Sequence, residues 1–337
     1  MLFADMQYGL WGVGIAIVAL GAVAYIAVSG EDTNRSLSVA RTNSTSFRTL
    51  TETDGVKHSI PLDEILSGGP GKDGIPSIDE PKFVDARGAD FLQGEDPGIG
   101  LVVDGDARFY PYSILVWHEI VNDTVGGRSA LVTYCPLCAT GIVFDRRVDG
   151  VAEEFGVSGK LWESNLLMYN RAANSGNESL WSQVLGEAVV GAHTGKKLVV
   201  IPSDIIRWSE WRRLYPNTKV LSTETGATRD YGRDPYGDYY SSRSIMFGSS
   251  ITDTRLHPKA LVIGVEVDGV FKAYPLEALS VGATNDTVGA ISVTVNKDEA
   301  SRVIVMREDA VVPHIPSFWF SWLAVHPDTE LYAASTE

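Results

Sequence analysis

Cysteine is almost absent from this chain of 337 residues, which contains only two. A protein held together by several disulfides is therefore excluded. The two cysteines lie within one short block, Tyr134-Cys135-Pro136-Leu137-Cys138. A pair confined to one Cys-x-x-Cys block is typical of a redox or metal-binding device.

Basic residues are also scarce. Lys and Arg total 28 against 43 Asp and Glu, which gives a formal net charge of -15. We find no basic cluster of the kind that binds phosphate backbones, so we expect no nucleic-acid partner. The surface is poor in lysine and rich in aspartate. That balance is typical of proteins in high salt and predicts a halophilic archaeon as the source.

Common enzyme signatures are missing. The chain has no Gly-x-Ser-x-Gly elbow, no His-Glu-x-x-His motif and no dinucleotide fingerprint. The loop from Gly68 to Pro76 lacks the Gly-Lys-Ser/Thr ending of a phosphate-binding loop. The sequence therefore leaves open whether the protein is an enzyme.

The N-terminus contains one long apolar run. Residues 6–30 carry no charge, and residues 10–28 are almost wholly aliphatic or small, a length that spans a bilayer. We predict an uncleaved transmembrane anchor over residues 1–30 and a flexible tether over 31–58; a cleaved signal peptide is the alternative. Five Asn-x-Ser/Thr acceptors favour an extracellular soluble domain, although the charge bias after the helix favours the opposite orientation. They are Asn34, Asn43, Asn122, Asn177 and Asn285.

A segment of the chain is repeated. The short blocks Ile99-Gly100, Val103-Asp104-Gly105, Tyr110-Pro111, Leu115 and Asn122-Asp123-Thr124-Val125-Gly126 recur in order as Ile263-Gly264, Val267-Asp268-Gly269, Tyr274-Pro275, Leu279 and Asn285-Asp286-Thr287-Val288-Gly289. Two copies of one supersecondary unit are the expected cause. His118-Glu119 and the cysteines have no counterpart in the second copy. We therefore expect the functional site in the first copy.

Short β-branched and aromatic runs alternate with Asp-Gly turns, which predicts mostly antiparallel sheet. The Tyr-Pro pairs predict a short helix in each copy, over 110–121 and 274–283, and residues 205–214 predict another. We therefore expect an α+β fold, mostly antiparallel β with short helices, internally duplicated and preceded by a transmembrane helix. The expected division is a first half-domain over 59–225 and a linking loop with a second half-domain over 226–337.

Several blocks together resemble domain of unknown function family 3179, whose members are exported or membrane-anchored proteins of bacteria and archaea. The resemblance covers roughly residues 59–332, and the Tyr134–Cys138 block is its most specific part. The other blocks are Gly68–Pro76, His118–Asp123, Phe155–Gly159, Ser179–Gln183 and Arg229–Tyr231. The resemblance implies an architecture and a site rather than an activity. It adds Glu119, Tyr134, Arg229 and Tyr231 as residues expected to line the site.

A Cys-x-x-Cys pair can form a disulfide, exchange one, or bind a soft metal. The strand pattern resumes at Gly141, so a thioredoxin-type helix after the first cysteine is not expected. A metal site needs further ligands, for which His118, His257 and Met168 are the candidates. Cysteine with histidine and methionine favours copper, whereas two cysteines with two histidines favour zinc or iron.

Three functions follow from these residues. The first is transition-metal binding at Cys135 and Cys138, copper first, for metal handling or electron transfer. The second is thiol-disulfide chemistry on partner proteins. The third is a non-catalytic extracellular module with a structural disulfide, which binds a polymer or glycan through aromatic residues; those residues are Trp181, Tyr236, Tyr239 and Tyr240.

Overall fold

The computed structural model describes residues 48–172 and 174–334. The strands that precede the first copy of the repeat are β1 Thr51–Thr53, β2 Val56–His58, β3 Leu66–Ser67 and β4 Phe83–Asp85. The first copy with its insertion contains β5 Pro97–Val103, β6 Asp106–Pro111, β7 Ile120–Val125, β8 Arg128–Cys135, β9 Thr140–Asp145, β10 Arg147–Val148, β11 Val151–Ala152, β12 Phe155–Trp162, β13 Asn165–Asn170, β14 Ser179–Ser182, β15 Glu187–Gly191, β16 Val199–Ile201, β17 Asp204–Arg207 and β18 Lys219–Leu221. The second copy contains β19 Leu261–Val267, β20 Val270–Pro275, β21 Gly282–Val288, β22 Ile291–Lys297, β23 Val303–Arg307, β24 Ala310–Val312, β25 His314–Phe318 and β26 Glu330–Leu331.

Helices are few and short in the described part of the chain. The α-helices are α1 Tyr112–His118, α2 Trp208–Leu214 and α3 Trp319–Val325, and single 3-10 turns lie at Leu62–Glu64, Ser175–Asn177, Gly237–Tyr240 and Leu276–Ala278. The predicted mostly antiparallel β fold with short helices is thus confirmed. The helix expected over 205–214 begins only at Trp208, because the preceding residues pair as β17 with the edge of β5.

The two copies of the repeat share one topology. The strand order β17-β5-β6-β18 in the first copy corresponds to β25-β19-β20-β26 in the second, and β16-β9-β8-β7 corresponds to β24-β23-β22-β21. In each copy the last short strand, β18 or β26, runs parallel to its neighbour in an otherwise antiparallel sheet. The Tyr-Pro pair leads into α1 in the first copy but into one 3-10 turn in the second, because β21 already begins at Gly282.

The two copies also share their main packing contact. A glycine in the central strand, Gly100 or Gly264, lies directly under a tryptophan ring, Trp211 or Trp322. Each indole nitrogen donates to a threonine hydroxyl at 2.9 Å, Thr218 in the first copy and Thr329 in the second. Shared packing as well as shared turns therefore defines the repeat.

The first copy differs from the second by an insertion over residues 146–198, between β9 and β16. Its strands β12 to β15 join β1, β2 and β3 in a seven-stranded sheet, whereas β23 and β24 of the second copy are joined by a direct turn. Apolar residues of this sheet, including Phe155, Met168 and Trp181, pack against the β8–β9 hairpin. The insertion therefore encloses the hairpin that carries the cysteines.

The predicted transmembrane helix requires correction. The residues that the structure describes contain no helix long and apolar enough to cross a membrane. We therefore remove the transmembrane helix from the predicted fold class. We also remove the membrane from the predicted partners. The segment on which it was predicted, residues 1–30, lies outside the described residues, as does most of the predicted tether.

Candidate functional site

The two cysteines lie in the turn of the β8–β9 hairpin. Cys135 ends β8 and pairs with Thr140 at the start of β9. The Cys138 amide donates to the Cys135 carbonyl oxygen at 3.1 Å, and Ala139 adopts a left-handed φ of 51°. Such a turn holds the Cα atoms of its first and fourth residues within about 7 Å of each other, close to the separation that a disulfide requires. No helix follows the first cysteine, so its environment differs from that of thioredoxin-type motifs.

Both cysteines are free thiols and both are buried. Their exposed fractions are 1% for Cys135 and 0% for Cys138. They belong to one apolar cluster with Leu166 and Met168 of β13 and with Phe320 of α3. The hairpin, the insertion and the second copy thus enclose the cysteines, and we call these packed surroundings the chamber.

The surroundings make the two sulfur atoms chemically unequal. Burial raises the pKa of the Cys135 thiol well above its usual value. Burial opposes ionisation of Cys138 as well, but the neighbouring Cys135 thiol and the Asn165 amide favour the thiolate, so the pKa of Cys138 is lowered. The Asn165 amide nitrogen lies 3.5 Å from the Cys138 sulfur. Cys138 is therefore the sulfur that ionises first.

Glu119 supplies a buried carboxyl group to the same chamber. It follows the last residue of α1 with a left-handed φ of 61°, and its carbonyl oxygen accepts from the Tyr134 amide at 2.8 Å. Burial, and then the charge of Cys135, raise the pKa of the Glu119 carboxyl well above its usual range. Within the described residues we find no hydrogen-bond partner for this carboxyl. Buried acids with perturbed pKa values cluster at functional sites.

A buried network of polar side chains, centred on Gln183, lies next to the cysteine turn. Gln183 accepts hydrogen bonds from the Thr140 hydroxyl at 2.7 Å and from the Asn165 amide at 3.1 Å. Its own amide nitrogen donates to the Thr133 hydroxyl at 3.0 Å. All four side chains are at most 1% exposed. Because each polar group is paired, the network fixes the Asn165 amide that points at Cys138.

His118 lies beside the chamber but is engaged elsewhere. Its Nδ1 is 2.7 Å from the Pro76 carbonyl oxygen, and its Nε2 is 2.7 Å from the Tyr231 hydroxyl. Since the carbonyl can only accept, Nδ1 carries the proton and Nε2 accepts from Tyr231. Burial lowers the pKa of His118, which keeps the ring neutral. Neither ring nitrogen is directed at the cysteines.

The remaining predicted metal ligands are His257 and Met168. His257 accepts a hydrogen bond at Nδ1 from the Lys259 amide, within a turn before β19. Met168 shares the apolar cluster of the cysteines, where its neighbours on adjacent strands are Val157 and Trp181. In the described part of the chain, no three His, Cys, Asp or Glu side chains converge in a way that would hold a metal ion.

Two residues that were expected to line the site lie at its margin. Tyr134 points to the face of β8 opposite Cys135 and stacks on Tyr112 with 4.0 Å between ring centroids. Arg229 bonds only the neighbouring Thr228 carbonyl oxygen and acts on His118 through its charge. The aromatic residues expected to bind a glycan are not exposed as a set, because Trp181 and Tyr239 are buried.

A short segment covers the cysteine turn, and we call residues 236–246 the cap. The Tyr239 hydroxyl donates to the Leu137 carbonyl oxygen at 2.9 Å, in the middle of the turn. The Ser164 hydroxyl donates to the Met246 carbonyl oxygen at 2.5 Å. Lys259 donates to the carbonyl oxygens of Ser242 and Ser244, both at 2.7 Å. Access to the sulfur atoms on this side therefore requires the cap to move.

Sequence reasoning found Cys135, Cys138 and Glu119 but missed Asn165 and Lys259. Asn165 follows a turn in the insertion and has no local signature of function. Gln183 was predictable from the sequence, because it ends the block Ser179–Gln183 that carries part of the family resemblance. The sequence feature that pointed to the cap was the number of tyrosines between Tyr231 and Tyr240.

Fold and site together define a duplicated β protein with a buried pair of free cysteines in a hairpin turn of the first copy. A family model described as "Protein of unknown function (DUF3179)" matches residues 72–329. The chain therefore belongs to this family. No curated protein and no solved structure matches the chain.

Proposed function

We propose that the protein carries out thiol-disulfide exchange through Cys135 and Cys138. The observation that carries this proposal is the turn itself, which closes with a hydrogen bond between Cys135 and Cys138 and so holds two free cysteines close to the separation that a disulfide requires. The unequal surroundings of the sulfur atoms and the buried Glu119 support it. A location outside the cytoplasm stays a prediction, and such surroundings contain disulfides that could react.

The proposed reaction transfers two electrons to a disulfide of a partner. The Cys138 thiolate attacks one partner sulfur, forms a mixed disulfide and releases the other partner sulfur as a thiolate. Cys135 then loses its proton, attacks the Cys138 sulfur and releases the second partner thiolate. This step leaves a Cys135–Cys138 disulfide and a reduced partner.

We assign to Glu119 the role of proton acceptor in the second step. The charge of Cys135 acts on the Glu119 carboxyl, and burial raises the pKa values of both Glu119 and Cys135. General acid–base catalysis by a positioned side chain typically contributes about a hundredfold or more to a rate. The role of Glu119 is to take the Cys135 proton and pass it to the departing partner thiolate.

The test is to equilibrate the reduced protein in glutathione buffers, trap free thiols by alkylation and measure the disulfide fraction by mass. We expect one intramolecular disulfide in the wild type and none in Cys135→Ser or Cys138→Ser. Glu119→Gln should slow disulfide formation about a hundredfold and alter its pH profile. Glu266→Gln is the matched control, because Glu266 is a partly buried carboxyl of the second copy whose pKa burial also raises. An unchanged disulfide fraction across all buffers, in the wild type and in Lys259→Met, would exclude the proposal.

Binding of copper(I) by the two thiolates is the second candidate, and a specific observation favours it. The backbone amides of Leu166 and Cys138 donate toward the Cys135 sulfur, and the Met168 thioether shares the same apolar cluster. Soft sulfur ligands select copper(I). Titration with copper(I) in a competing chelator tests this candidate. Loss of copper(I) affinity in Met168→Leu, with unchanged disulfide formation, would show that Met168 binds the metal and takes no part in exchange.

A further inference from the structure

A cavity lies between the two copies of the repeat and borders the cysteine turn at Ala139. It is a cleft of about 830 Å³, a size typical of small-molecule sites. Its walls include Tyr112, Tyr134 and Ile205 from the first copy and Ile263, Pro316 and Phe318 from the second. Both copies therefore contribute apolar and aromatic surface to one space.

The cleft and the cysteines lie on opposite faces of β8. Consecutive residues of a strand point to opposite faces. Tyr134 accordingly packs in the cluster with Tyr110 and Val132, whereas Cys135 packs in the cluster with Met168. A molecule in the cleft would thus contact Tyr134 without touching either sulfur atom from this side.

Three tyrosine side chains, those of Tyr112, Tyr134 and Tyr240, line the cleft. Tyr112 stacks on Tyr134 with 4.0 Å between ring centroids, and the Tyr134 hydroxyl interacts with that of Tyr240, which in turn interacts with Asp234. The hydroxyls of Tyr134 and Tyr240 are thus engaged with neighbouring groups, and the rings offer aromatic surface to a planar ligand.

The charges at the cleft disfavour an anionic ligand. Asp96 and Asp234 line it together with one guanidinium group, that of Arg233. His314 also lines the cleft, and burial lowers the pKa of this histidine, so it adds no positive charge. The net charge of the whole chain, -15, acts in the same direction.

We propose that this cleft binds a small, flat, uncharged aromatic molecule. The apolar walls of the two copies and the tyrosine rings hold its ring system. The proposal does not rest on thiol-disulfide exchange.

The test uses a neutral naphthalene ketone whose fluorescence shifts to the blue in apolar surroundings. We expect saturable binding at one site per chain. Tyr134→Leu should raise the Kd about two- to tenfold, because the aromatic contact with the ligand is lost. The Cys135→Ser, Cys138→Ser double variant should bind as the wild type does, so a failure of the exchange proposal leaves this one intact.

A matched pair of variants locates the site. Leu261 lies at the cleft and is 44% exposed, and Leu66 lies away from it on β3 and is 43% exposed. Leu261→Trp should block binding, whereas Leu66→Trp should not. Binding that is not saturable, or that Leu261→Trp leaves unchanged, would overturn the proposal. Equal affinity for a naphthalenesulfonate anion would contradict the uncharged character of the ligand.

Discussion

Lys259 holds Tyr239 in two ways at once: its ammonium group donates to the Tyr239 carbonyl oxygen and also lies 3.5 Å from the centroid of the Tyr239 ring. The same ring carries the hydroxyl that donates to the Leu137 carbonyl oxygen in the cysteine turn. One lysine just before the second copy therefore anchors the cap over the cysteine pair of the first copy. Burial lowers the pKa of this lysine.

Replacement of Lys259 by Met is expected to loosen the cap. The ammonium group donates to three carbonyl oxygens, and hydrogen bonds to charged groups contribute about 1.5 to 3 kcal/mol each. Loss of even one favours local opening about tenfold. Alkylation of Cys135 and Cys138 under native conditions should therefore accelerate at least about tenfold in the variant. Lys272→Met is the control, because Lys272 is a similarly buried lysine paired with Asp286 of the second copy. Equal acceleration in both variants would indicate general destabilisation instead of cap opening.

Alanine at either Gly100 or Gly264 is expected to destabilise the fold. A Cβ atom at these positions would overlap the ring of Trp211 or Trp322, and neither glycine has a positive φ, so the effect is one of packing. Overpacking of this kind costs about 1 to 3 kcal/mol in the free energy of unfolding. Denaturant unfolding should show similar losses for Gly100→Ala and Gly264→Ala. Gly71→Ala should change little, since nothing lies within 4 Å of its added Cβ. A stable Gly264→Ala variant would mean that the second copy tolerates a different tryptophan position.

Glu119→Gln is expected to make stability less sensitive to rising pH. The folded-state pKa of Glu119 lies above its unfolded value because of burial and the charge of Cys135. The wild type therefore loses stability as pH rises from the ordinary glutamate range toward the raised pKa, at up to about 1.4 kcal/mol per pH unit. The difference in unfolding free energy between Glu119→Gln and the wild type should grow over this range. In a Cys135→Ser background the growth should persist but be smaller, because only burial remains. Parallel pH curves would show that Glu119 ionises freely in the folded protein.

His326→Phe is expected to protect the protein against acid. His326 stacks on Phe271 with 3.9 Å between ring centroids, and burial lowers its pKa to about 3. A histidine with a lowered folded pKa contributes stability that is present above its unfolded pKa, about 6.5, and that is lost as pH falls toward the folded value. Unfolding experiments at pH values across that interval should show the wild type losing up to about 1.4 kcal/mol per pH unit relative to His326→Phe. An equal decline in both proteins would assign the acid sensitivity to other groups.

Local patterns determined the repeated architecture. The Asp-Gly turns, the Tyr-Pro pairs and the alternating runs specify the same strands in both copies, because turn geometry and strand alternation depend on residues close in sequence. The strand pattern after Cys138 likewise predicted a hairpin instead of a thioredoxin-type helix. The sequence did not predict that the helix expected over 274–283 would be a single 3-10 turn. The turn is short because β21 begins at Gly282, which pairs with Lys297.

The composition of the site depends on contacts between distant parts of the chain. His118 and Glu119 are neighbours in sequence, and only the left-handed turn after α1 decides that the carboxyl reaches the chamber while the imidazole bonds Tyr231. Asn165 arrives from the insertion, and Lys259 arrives from the start of the second copy. The sequence alone thus determined the two copies and the cysteine turn, because these follow from short-range backbone preferences. The tertiary structure alone decided which polar groups surround the sulfur atoms, because long-range packing selects them and no local pattern records it.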